Sequence, residues 1–91
     1  MTKQLPHTIG GYQRRLRAII RTLRNDAGWM RTALITIHNG GNDGIEGIRQ
    51  AMGKIQAIAA SPEKYDKERH YEAVYLLGLL RDAKLLKEDT Q

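Results

Sequence analysis

The sequence predicts an all-α protein, an antiparallel three-helix bundle. Three observations predict it: apolar residues recur at helical spacing through long stretches, clusters of turn and cap residues divide those stretches, and no run alternates as a half-buried strand does. At 91 residues the chain makes a single domain that can bury one modest core without disulfides or metal. The helical domain is expected over residues 11–88, with a flexible leader at 1–10 and a flexible tail at 89–91.

The first helix is predicted over residues 11–38. Tyr12, Leu16, Ile19, Ile20, Leu23, Ala27, Met30, Leu34 and Ile37 fall within an arc of about 100°, the width of a core-facing stripe. The seam passes through Tyr12, Leu23 and Leu34, an interval that favours a nearly straight helix, about 42 Å long. Gly28 interrupts it at a cost of about 1 kcal/mol relative to Ala, with a kink or a close helix contact as the structural options. Asn39-Gly40-Gly41-Asn42-Asp43 then reads as a glycine stop followed by a new start, with Asp43 as N-cap and Glu46 placed for a capping box.

The second helix is predicted over 43–60, on a seam of Ile45, Ile48, Met52, Ile55 and Ala59. Gly44, Gly47 and Gly53 lower its intrinsic helicity, so it depends on tertiary packing. Ser61-Pro62-Glu63 reads as N-cap, N1 and N2 of a third helix over 62–87, whose first turn can separate near Asp66. Its apolar residues, from Tyr65 through Ala73, Leu76, Leu77 and Leu80 to Leu86, cover an arc wider than about 180°. Such a helix needs cover on more than one side, so a homodimer or another partner is expected to supply it.

The net charge of +5 and pI near 9.8 are unevenly distributed. Residues 1–31 hold Lys3 and six arginines against Asp26, a net +6, residues 32–61 balance, and the rest is slightly acidic. That asymmetry defines an electrostatic surface. Cysteine is absent, which excludes disulfide frameworks, thiolate nucleophiles and Cys-based zinc sites, and leaves the cytoplasm as the expected location. The longest apolar run, Ala73 to Leu80, is too short for a bilayer span, which needs about 20 residues. The Arg-rich start resembles an organellar transit peptide in charge, but it lacks serine and its apolar face runs on past residue 30.

Arg14, Arg17, Arg21, Arg24 and Arg31 lie on one edge of the predicted first helix, with Arg15 on the other flank. A guanidinium is always charged and presents a planar fork of donors, so such a row faces a phosphate backbone or is answered by carboxylates. In a three-helix arrangement the answer comes from Glu63, Asp66, Glu68 and Glu72, since the third helix starts beside the first. Trp29 lies on a flank with Gly11, Ala18, Thr22, Ala33 and Thr36, and reads either as a docking face or as the edge of a wide core.

The remaining constellations carry less. The Gly40–Gly44 loop precedes a helix but lacks the Lys and Ser/Thr of a phosphate-binding loop, and reads as a turn. His7, His38 and His70 have no metal-ligand spacing, so neither metal nor cofactor is expected. The lone Ser61 is a cap and no nucleophile, base and orienter set appears; Tyr65, Tyr71 and Tyr75 read as core and rim. An Arg face opposite Leu16, Ile19 and Ile20 also suits anionic lipid, but the other helices need that apolar face. Binding, not catalysis, is the expected function. The sequence points to a small nucleic-acid-associated or regulatory protein that uses Arg14, Arg15, Arg17, Arg21, Arg24 and Arg31 on phosphates. The alternative is a protein-interaction module, an inhibitor or adaptor of the kind phages and mobile elements encode, using the same arginines and Trp29 on an acidic partner.

Overall fold

A computed structural model of the chain describes residues 5–23 and 28–86. They form four α-helices and two short 3-10 segments, with no strand among the described residues. Helix α1 spans Ile9–Thr22, and its N-cap is Thr8, whose hydroxyl accepts the Gly11 N–H at 3.0 Å. The helix therefore starts before the predicted residue 11, inside the expected leader.

The first predicted helix is two helices. Thr22 turns its hydroxyl back to the Ile19 carbonyl at 2.7 Å, and Leu23 leaves the helix in an extended conformation. Gly28, at φ 59 and ψ −120, opens α2, Trp29–Asn39. A side chain resists that backbone conformation and glycine does not. Gln13 Nε2 donates to the His38 carbonyl at 3.0 Å, so the start of α1 lies beside the end of α2 and the two run antiparallel. Each arm still points its own share of the seam inward: Tyr12, Leu16 and Ile19 from α1, Ala33, Leu34 and Ile37 from α2. The molecule measures 35 × 34 × 25 Å, shorter in every direction than the about 42 Å a straight helix over 11–38 needs.

A 3-10 turn, Gly40–Asp43, leads into α3, Ile45–Ala60. Asp43 ends that turn, Gly44 at φ 86 stands at the N-cap, and the predicted capping box does not form. Glu46 instead lies 3.9 Å from Arg49, one turn on. The corner is made by glycine contact. A Cβ on Gly47 would run into the Gly40 carbonyl oxygen, and one on Gly40 would come within 2.8 Å of the Gly47 oxygen. Gly41 is buried, with Gln13 and Ile9 of α1 occupying the space a side chain would need.

The predicted helix over 62–87 is shorter. Pro62–Lys64 forms a 3-10 turn, Tyr65 is extended, and Asp66 is the N-cap of α4, Lys67–Asp82, accepting the Arg69 N–H at 3.2 Å. Asp66 takes the role expected of Ser61 because its carboxylate reaches a free first-turn donor. At the other end Lys84 takes φ 61, its N–H bonds to Arg81 O, and the Leu85 N–H bonds back to Leu80 O at 2.8 Å. This is a Schellman stop, closed by the buried pair Leu80 and Leu85. The core gathers these with Ile48, Met52 and Ile55 of α3 and Ala73, Leu76 and Leu77 of α4.

Candidate functional site: a cationic face on a helical hairpin

Arg14, Arg17 and Arg21 are exposed on α1, roughly opposite the buried Tyr12, Leu16 and Ile19 around the helix. Three cations on consecutive turns of one face are what the local spacing dictates. The hairpin adds α2 to that face. Arg17 Nη1 lies 3.2 Å from His38 Nε2, and His38 Nδ1 lies 3.3 Å from Asn39 Oδ1. On α2, Arg31 stands two helical turns before His38 and so on the same side of the helix as His38, which faces Arg17. Arg31 is half-buried and its Nε has no hydrogen-bond partner. The row expected along one helix is thus rebuilt across two. His38 joins it, a member the sequence reading missed although it stands two helical turns from Arg31. Arg24 lies outside the described residues.

Arg15 belongs elsewhere. Its Nη1 donates to the Ala83 and Lys84 carbonyls at 3.3 and 2.9 Å, clasping the C-terminus of α4 to α1. A cation suits that place, because the last carbonyls of a helix carry partial negative charge.

The expected carboxylate answer does not reach the row. Asp66 caps α4, Glu72 lies 3.4 Å from Arg69 Nε, and Glu63 and Glu68 are exposed. Among the described residues no ion pair includes Arg14, Arg17 or Arg21. The reason is parity. One added reversal makes α4 run against α1, so the end of α4, and not its acidic start, lies beside α1. The start of α4 lies at the end of α3, where His70 Nδ1 is 3.5 Å from the Ile58 carbonyl.

Trp29 sits half-buried against the core with the Arg69 guanidinium 4.5 Å from its ring centroid. Such a cation over an indole stabilises by about 0.5–1 kcal/mol at an exposed site. The helix break also splits the small-residue flank predicted around Trp29. Ala33 is buried, Thr36 bonds to the Thr32 carbonyl, and Ala18 and Thr22 line a separate shallow groove of about 390 Å³ with Leu79 and Asp82. Among the described residues no three His, Asp or Glu side chains gather as metal ligands, and no helix is long and apolar enough to cross a membrane.

Fold and surface together describe a small all-α protein with a cationic face on its first helical hairpin. No protein-family model matches the chain, and comparison with curated proteins and with solved structures finds no match.

Proposed function

We propose that this protein binds nucleic acid through the phosphate backbone, with Arg14, Arg17, Arg21 and Arg31 as the contacting residues. The observation that supports it is the exposed α1 row, which no described carboxylate neutralises. Guanidinium groups spaced along a helix can follow a line of phosphates, and contacts of that kind position a duplex without reading its bases. Self-association belongs to the same reading, since a two-fold pair doubles the cationic surface.

About four phosphate contacts give a slope of log affinity against log salt of about −3.5 on duplex DNA. Replacing Arg14, Arg17 and Arg21 with Ala lowers its magnitude by about 2 to 3, equally for unrelated sequences. Absence of binding at about 50 mM salt refutes the reading. A second reading, an inhibitor or adaptor docked on an acidic protein, draws on Trp29, a half-buried aromatic on the same hairpin. It expects a stoichiometric protein partner that survives nuclease treatment and is lost with Arg17→Ala and Arg21→Ala.

A further inference from the structure

We propose that two copies of the chain associate through α4, antiparallel, about a two-fold axis passing between Val74 and Tyr75. The outward face of α4 carries large side chains that the monomer leaves in water: Tyr71 is 68% exposed, Val74 48% and Tyr75 57%. At 100° per residue they share an arc of about 100° with Lys67, Gly78 and Asp82, opposite the buried Ala73, Leu76, Leu77 and Leu80. A helix with one apolar stripe on the core and a second in solvent has an unmet partner.

The order of residues along that second stripe names the partner. Lys67 and Asp82, Tyr71 and Gly78, and Val74 and Tyr75 are three pairs, each placed symmetrically about the same point between residues 74 and 75. A two-fold interface requires this, because the same patch must complement itself. In the antiparallel pair Lys67 reaches the partner's Asp82, and Tyr71 lies over the partner's Gly78. Val74 and Tyr75 meet their own counterparts at the centre. Gly78 presents bare backbone with open space where a Cβ would stand, which leaves room for the partner's Tyr71 ring. Lys67 and Asp82 are exposed and have no ion pair among the described residues. A parallel pair would set like charges together at both ends. A nucleic acid or an acidic protein would find one base balanced by one acid, so a second copy fits this face best.

The proposal rests on self-association as part of the functional reading, not on nucleic-acid binding, and the two can fail separately. One helix pair of this length buries less than the about 1,200 Å² of a stable complex, which implies a transient dimer dissociating at roughly 10–100 µM. Sedimentation equilibrium from about 5 µM to about 1 mM should show monomer passing into dimer over that range. Lys67→Asp and Asp82→Lys should each weaken the dimer roughly tenfold, and the double variant should restore it. Neither reversal harms the helix, since each puts the charge its terminus prefers. Gly78→Leu should put a side chain where the partner's Tyr71 would lie and leave a monomer with undiminished helicity by circular dichroism. Monomer throughout the range overturns the proposal, as does a dimer that Gly78→Leu and the charge reversals leave unchanged. The salt slope of DNA binding, measured on monomeric Gly78→Leu, tests the arginine reading independently.

Discussion

Arg14 and Arg15 are adjacent in sequence, equally cationic, and hold different things. Arg14 points away from the core into water, whereas Arg15 donates two hydrogen bonds to the carbonyls that end α4. A charged donor on a part-buried acceptor contributes about 1.5–3 kcal/mol, while a surface cation without such partners contributes within about 0.5 kcal/mol. Arg15→Ala is therefore expected to cost about 1.5–2 kcal/mol in urea denaturation and Arg14→Ala almost nothing. Their effects on nucleic-acid binding should rank the other way. Sequence spacing sets Arg15 on the other flank from the row yet leaves it among the expected phosphate contacts, because a helical wheel says which side a residue is on, and not which backbone ends there.

Among elements, two glycines of α3, one in its first turn and one at its middle, show how one residue type can act in opposite ways. Gly47 lets the start of α3 touch the α2 turn at Gly40, whereas Gly53, in the same helix, has open space where a Cβ would stand. Gly47→Ala is expected to destabilise by about 2–3 kcal/mol, since backbone must move to admit the methyl group. Gly53→Ala is expected to stabilise by about 0.5–1 kcal/mol through helix propensity. Thermal melts separate the two, with about 4–8 °C for each kcal/mol in a domain of this size. Both glycines read alike in the sequence, as weak points in a helix, because the contact that distinguishes them comes from another element. The turn at Gly40–Asp43 and the second seam were legible for the opposite reason: turn chemistry and helical period are local.

At the scale of the molecule, the described ion pairs are two exposed or half-exposed contacts, Glu46 with Arg49 and Glu72 with Arg69, against a net charge of +5. On a surface with that net charge, self-repulsion is expected to outweigh the attraction of exposed pairs. Raising NaCl from about 50 to about 500 mM should therefore raise the melting midpoint by a few degrees while abolishing phosphate binding. A midpoint that falls with salt would show that attractive pairs dominate. If the arginine row binds phosphate as proposed, stability and binding should respond to salt in opposite directions, through the same arginines.

Local pattern determined that the described residues fold as helices without strands, where α3 lies, and that the cations concentrate in the first third, because propensity, period and charge are properties of neighbours along the chain. The sequence marks Gly28 as an interruption of one helix, a kink or a close contact, and not as the boundary between two, although Asn25, Asp26 and Gly28 are residues that turns favour. A hairpin returns each arm to the same core, so the seam through Tyr12 and Leu34 looks continuous whether the helix runs on or folds back. Only the tertiary structure decided that fold-back. With it came the helix directions that bring Arg15 to the end of α4, set the start of α4 on Trp29, and place His38 beside Arg17. Which charges meet is settled by which helices are adjacent and in which direction they run, and no spacing along a single helix contains that information.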